Sequence, residues 1–170
     1  MGNVRELKRK NEEIAEKYHD IEENLSAAVN PVGLFEGWMT GMAEAFGIPF
    51  LWISLTETPA NAPLIESLRA SPLLGDRVNV IDEAAFMALA PKGPEPILAN
   101  GELRIYYRLL PRNKYFVKSL ALAPIILNGR LIGSLNHADS SPTRYEPNMD
   151  TSLLQSLASL LSSRLSAMSA

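Results

Sequence analysis

The side chains best placed to bind a small polar molecule fall on two predicted strands. Ser134 and Asn136 stand two residues apart near the end of a β-rich segment. In a strand they share one face, while His137 projects from the other. Trp52 and Ser54 belong to an earlier predicted strand. We expect these hydroxyl, amide and indole groups to line one pocket over a sheet.

A second group of candidate ligand-binding residues lies in residues 103–118, which carry five basic residues, no acidic residue and several aromatic side chains. We assign Arg104, Tyr106 and Arg108 to the same pocket, because guanidinium and phenol donors suit an anionic or planar ligand. The alternative, which stays open, is that the tyrosines pack on the sheet while the arginines pair with nearby acidic residues. Nucleic-acid binding has less support, since the net charge is −3 and no second basic element accompanies this segment.

The sequence lacks the patterns of common catalytic and metal centres. It has no cysteine and two histidines, His19 and His137, which excludes thiol chemistry and leaves little for a histidine-based metal site. No nucleophile elbow, phosphate-binding glycine loop or paired-histidine zinc motif is present. Carboxylate pairs such as Glu12 and Glu13 fall on a solvated helix face. We therefore predict a protein that is not an enzyme and holds no cofactor.

The N-terminal residues predict a coiled coil. Between Val4 and Ala28 the apolar residues follow spacings of three and four, typical of a and d positions over four heptads. An asparagine at one a position pairs with its twin in a parallel dimer. The alternative is one amphipathic helix lying on its own domain. We expect a homodimer through this helix and the C-terminal helix, with these contact residues: Leu7, Asn11, Ile14, Tyr18, Ile21 and Leu25.

The rest of the chain predicts one α+β domain over residues 30–170, preceded by the helix of residues 1–29. The order of elements favours an antiparallel sheet with helices on one face. Gly37 and Gly41 lie inside a helical pattern and indicate close packing. The dipeptide Asn128-Gly129 predicts a tight hairpin. Strands are expected over residues 50–55, 78–81, 97–99, 119–127 and 130–137, and helices from residue 31 to a stop at 47 and over 63–70, 84–89 and 150–167.

Two segments carry a resemblance to a known family. Residues 119–135, Ser-Leu-Ala-Leu-Ala-Pro-Ile-Ile-Leu-Asn-Gly-Arg-Leu-Ile-Gly-Ser-Leu, resemble the hairpin of GAF domains. Residues 140–154 resemble the segment before the last helix in a bacterial GAF-like family, domain of unknown function 484. Asp150 departs from that pattern, where a glycine is more usual. The matching positions are Ser140, Pro142, Arg144, Tyr145, Pro147, Met149, Thr151 and Leu154.

The resemblance implies a GAF/PAS-like module, in which loops over a sheet enclose a small-molecule pocket and terminal helices hold a dimer. We expect a sensory or signalling protein; the alternative is a ligand-free scaffold that docks a partner protein through its coil. The cysteine-dependent GAF chemistries, bilin attachment and methionine-sulfoxide reduction, are excluded in their usual forms. From their residue types and position, Arg144 and Tyr145 are expected to pin the loop before the last helix to the sheet. This loop lies within residues 140–154, and we call it the tail loop.

The sequence also predicts a cytoplasmic location and no membrane partner. Charged residues stand near the N-terminus where a secretory signal would be apolar. The longest apolar stretches are far shorter than the ~20 residues of a spanning helix.

Overall fold

A five-stranded mixed sheet with five α-helices makes up the part of the chain that the computed structural model describes, residues 2–110 and 114–169. The fold is therefore α+β. The helices are α1 (Gly2–Ala27), α2 (Pro31–Phe46), α3 (Ala62–Arg69), α4 (Glu83–Leu89) and α5 (Ser152–Met168). The strands are β1 (Phe50–Thr56), β2 (Val78–Ile81), β3 (Ile97–Ala99), β4 (Ser119–Leu127) and β5 (Arg130–Asp139).

Local signals set the ends of these elements where the sequence predicts them. The side chain of Asn30 accepts a hydrogen bond of 2.7 Å from the Gly33 N–H and caps α2. Gly47 ends the same helix with φ at +62°. Asn128 and Gly129, with φ of +50° and +83°, form the tight turn between β4 and β5. The predicted hairpin is thus confirmed.

The order of strands in the sheet is β2-β1-β5-β4-β3. β5 pairs antiparallel with both β1 and β4, and β4 pairs antiparallel with β3. β2, however, lies parallel to β1, so the prediction of an antiparallel sheet is wrong at this edge. The physical reason is the connection between the two strands, because it contains α3 and parallel neighbours require such a crossover.

Both faces of the sheet are covered. The large hydrophobic core lies on one face under α1, α2, α3 and α5. On the other face, Phe86 of α4 and Leu109 pack into a second core. Leu109 belongs to residues 103–110, a segment with a 3₁₀ helix that we call the roof. The prediction of helices on one face therefore needs correction: the long helices share a face, while α4 and the roof occupy the opposite one.

The N-terminal helix is divided between solvent and core. Every residue from 3 to 17 is exposed, whereas Ile21 and Leu25 are buried against the domain. The predicted four-heptad contact with a second copy is therefore wrong for Ile21 and Leu25, because the subunit itself covers that half of the stripe. For residues 18–28 the alternative interpretation, a helix lying on its own domain, describes the structure.

The sequence predicts close packing at two glycines of α2, and the structure shows it at Gly41. A Cβ placed on Gly41 would lie 2.9 Å from the Ile21 Cγ1 atom, and one on Gly37 would lie 3.6 Å from the Leu25 Cδ2 atom. The first distance is too short for an unstrained contact and the second is an ordinary one. α1 therefore leaves room for a methyl group at Gly37 but not at Gly41.

Among the described residues, none of the helices combines the length and the apolar character that crossing a bilayer requires.

We predict opposite outcomes for alanine at these two glycines. Each change adds helix propensity of up to ~1 kcal/mol, so Gly37→Ala should raise the free energy of unfolding. In Gly41→Ala the β-branched Ile21 cannot move aside freely, and the variant should be about 1–3 kcal/mol less stable than Gly37→Ala. Urea unfolding of both variants measures the difference. Equal stabilisation by the two would contradict the close contact at Gly41.

Candidate functional site

Three polar side chains meet on the roofed face of the sheet, where their neighbours are apolar. Ser54 of β1 lies opposite Ser134 of β5, and Asn136 lies two residues further along β5. All three are fully buried. The Ser134 hydroxyl donates to the Asn136 Oδ1 at 2.6 Å, and the Asn136 Nδ2 donates to the Ser54 Oγ at 2.8 Å. We call Ser54, Ser134 and Asn136 the polar trio.

The polar trio holds the main chain of the roof. The Leu109 carbonyl accepts hydrogen bonds from the Asn136 Nδ2 at 3.0 Å and the Ser54 Oγ at 3.4 Å. Asn79 of β2 adds bonds to the Arg108 carbonyl at 2.8 Å and to the Ser54 Oγ at 3.2 Å. The Ser134 hydroxyl is thus satisfied within the trio by the Asn136 side chain, whereas the Ser54 hydroxyl and the Asn136 amide both reach the Leu109 carbonyl, as burial of polar groups demands.

The predicted ligand-binding residues lie in two places, on the sheet face of the polar trio and on the roof that covers it. Trp52 shares the face of the polar trio, stacked on Phe50 with ring centroids 5.7 Å apart. On the roof, Tyr106 is half-buried and packs on the second core, while Arg104 and Arg108 are exposed. The tyrosine therefore follows the packing alternative. Arg112 of the same basic segment lies outside the described residues.

The roof covers the polar trio. Leu109 is fully buried, and its carbonyl accepts the hydrogen bonds of Ser54 and Asn136. Cavities of about 160 to 300 Å³ open elsewhere on the described surface, and none of these is lined by any of the seven residues predicted to bind a ligand.

His137 projects from the opposite face, as strand alternation predicts. Its Nδ1 lies 3.2 Å from the Ala121 carbonyl and its Nε2 accepts a 3.2 Å bond from the Trp38 indole N–H. The first partner accepts and the second donates, so the neutral ring carries its proton on Nδ1. Burial lowers the pKa of His137 to about 4, against a smaller opposing effect of the Ala121 carbonyl. Both ring nitrogens are therefore engaged in structure.

Arg144 pins the tail loop to the end of β5, as the sequence analysis predicts. The guanidinium donates to the Asp139 carboxylate at 2.9 Å and to the Phe46 carbonyl, at the end of α2, at 3.0 Å. Partial burial raises the pKa of the Asp139 carboxyl, but hydrogen bonds from Ser141 and Arg144 outweigh it and the pKa lies below its ordinary value. Tyr145 packs half-buried against the large core.

An apolar groove that the sequence did not reveal lies between α1, α2 and the tail loop. Its volume is about 260 Å³, and we call it the α-groove. No single segment signals it, because the walls come from α1, α2, β3, the tail loop and α5. Its lining residues are Ile14, Tyr18, Met42, Phe46, Ile48, Leu98, Arg144, Tyr145, Met149, Asp150, Thr151, Leu153 and Leu154.

Among the residues that the structure describes, neither serine hydroxyl of the polar trio has a basic partner. The hydrogen-bond partners of the Ser54 and Ser134 hydroxyls are amides and a carbonyl, so no base is positioned to activate either one as a nucleophile. The described residues contain no group of three or more metal-ligating side chains placed to hold an ion. Compared with models of known protein families the sequence matches none, and it matches no curated protein.

Removing the amide of Asn136 should loosen the roof. Asn136→Ala leaves the Ser134 hydroxyl without its acceptor and the Leu109 carbonyl with only the 3.4 Å bond from Ser54, which costs about 2–3 kcal/mol of unfolding free energy. Urea unfolding and hydrogen exchange of the roof amides test this. The control is Asn100→Ala, which removes an exposed bond to the Pro142 carbonyl. If the two variants lose the same stability, the polar trio does not anchor the roof.

Titration of His137 should make the fold acid-sensitive. The folded-state pKa of about 4 lies below the ordinary 6.5. The stabilisation is thus complete above pH 6.5 and is lost as the pH falls towards 4. Between pH 7 and pH 4 the native protein should lose roughly 3 kcal/mol more unfolding free energy than His137→Gln. Parallel pH curves for native protein and His137→Gln would refute the assignment.

Proposed function

We propose that this protein is a non-enzymatic, dimeric, GAF-like sensory module whose roof opens to admit a small anionic or planar ligand. The resemblance in residues 119–135 and 140–154 supports this proposal. So does the position of that hairpin, because β4 and β5 lie inside the sheet, next to the roofed face.

The observation that carries the proposal is the polar trio, whose three side chains are fully buried under the roof. Buried hydroxyl and amide groups cost free energy unless each finds a partner, and here the partner outside the sheet is the Leu109 carbonyl. A ligand with a carbonyl or anionic oxygen replaces that carbonyl without leaving the Asn136 amide unsatisfied. Arg104 and Arg108, exposed on the roof, favour the approach of an anion.

The polar trio is connected to the terminal helices through the end of β5 and the tail loop. Asn136 lies three residues before Asp139, which ends β5 and pairs with Arg144 at 2.9 Å. The tail loop after Arg144 leads into α5, which contacts α1 through the hydrogen bond from Ser156 to Glu22. A ligand that binds the open roof better than the closed one shifts this assembly by its difference in affinity.

A second candidate function is a ligand-free scaffold that docks a protein partner. The roof carbonyl that already satisfies Ser54 and Asn136 favours it, as does the exposed first half of α1, with Val4 and Leu7 at 71% and 61% exposure. In this case the polar trio serves only to hold the roof.

Native mass spectrometry of the full chain, purified without unfolding, separates the two functions. The sensory module should carry an additional small-molecule mass that denaturing spectra lose. Asn136→Ala should lose this mass and Asn100→Ala should retain it. A native mass equal to that of the polypeptide alone contradicts the sensory module. The scaffold is supported instead if a second polypeptide copurifies with the native chain and is lost when residues 2–14 are deleted. Residues 3–14 of this segment are all exposed.

A further inference from the structure

The N-terminal part of α1, residues 3–14, projects from the domain with its side chains exposed. Every residue from 3 to 14 is exposed, and we call this segment the arm. Most helical stability in proteins comes from packing of an apolar face, yet the arm carries such a face in the open. Val4, Leu7 and Ile14 are 71%, 61% and 40% exposed. They continue the stripe that Ile21 and Leu25 bury within the subunit.

The α-groove lies beside the base of the arm. Ile14 and Tyr18 form one of its walls, and its rim carries Met149 and Leu153, which are 41% and 38% exposed. One subunit thus presents a projecting apolar ridge and an apolar hollow on the same face. A surface with both parts is self-complementary, which is the requirement of a two-fold symmetric interface between copies.

The charges of α1 are segregated along its length. Residues 3–10 contain four basic residues and one acidic residue, a net charge of +3. Residues 12–19 contain three acidic residues and one lysine, a net charge of −2 with histidine neutral. Two parallel arms would place like charge beside like charge. An antiparallel arrangement places the basic residues 3–10 of each copy beside the acidic residues 12–19 of the other, and this attraction favours the antiparallel orientation.

We propose that two copies of this chain pair through antiparallel arms about a two-fold axis at Asn11, with Leu7 of each arm seated in the α-groove of the other copy. At one residue per 1.5 Å, this axis brings Leu7 level with residue 15 of the second copy. That position lies between Ile14 and Tyr18, the two α1 residues of the groove. The inference rests on the dimer in the proposed function and specifies its geometry.

The parallel coil predicted from the heptads is less compatible with the structure. Its second half needs Ile21 and Leu25, which the subunit has already buried. The antiparallel pair uses only the free half of the stripe. It still places Asn11 against its twin, so the polar residue keeps its role of selecting one register.

Sedimentation equilibrium at about 50 μM tests the interface. The native chain should be a dimer, and both Leu7→Asp on the arm and Leu153→Asp on the groove rim should be monomeric with unchanged circular dichroism. Ser163→Asp, which puts the same charge at an exposed position of α5 outside both surfaces, should remain dimeric. A monomeric native chain overturns the dimer and this inference with it. A dimer that Leu153→Asp leaves intact overturns the seating in the α-groove.

Cysteine cross-linking tests the orientation, and the chain is suited to it because it has no cysteine of its own. Asn11→Cys should oxidise to a covalent dimer. Val4→Cys alone should not, because antiparallel arms separate the two copies of this residue by about 21 Å. A mixture of Val4→Cys and Lys17→Cys chains should form the mixed disulfide. Efficient cross-linking of Val4→Cys to itself overturns the antiparallel arrangement while leaving the proposed dimer and its ligand untouched.

Discussion

Strand β5 ties the two layers of the molecule to one sheet through successive side chains. Asn136 reaches the roofed face and holds the Leu109 carbonyl, while His137 reaches the helical face and accepts the indole N–H of Trp38 on α2. Alternation along a strand makes this division unavoidable. The central pairing that supports it is close, since a Cβ on Gly133 would collide with the Ser54 carbonyl oxygen of β1. A change in the register of β5 would release both layers together.

The two layers differ in how firmly they are held, and this difference underlies the proposed function. The helical layer has a large continuous core, the neutral His137 bridge and Arg144 at the end of α2. The roof packs on a smaller core and is held largely by the side chains of Asn79 and Asn136, which donate hydrogen bonds to its carbonyls. Segments with fewer buried apolar contacts open at lower free-energy cost. Opening therefore costs least at the roof, where Arg104, Tyr106 and Arg108 lie, and the helical layer is the more firmly held of the two.

Much of the candidate site follows from the sequence, because strand periodicity is a local property. The shared face of Ser134 and Asn136, and the opposite direction of His137, needed only the recognition of a strand. The exposure of Arg104 and Arg108 did not follow, because it depends on which side of the roof packs downward. That choice is made by Leu109, whose burial and carbonyl bonds come from residues distant in the chain.

The sequence by itself determined the set of helices and strands and their ends. The signals for these act within a few residues of each other: the caps at Asn30 and Gly47, the Asn128-Gly129 turn and the spacing of apolar residues. Only the tertiary structure decided how the stripe of α1 is shared between the core and the open surface. A heptad pattern records that a face is apolar, not which partner covers it. The contact of Ile21 with the glycine surface of α2, within the same subunit, settled that for half of the helix.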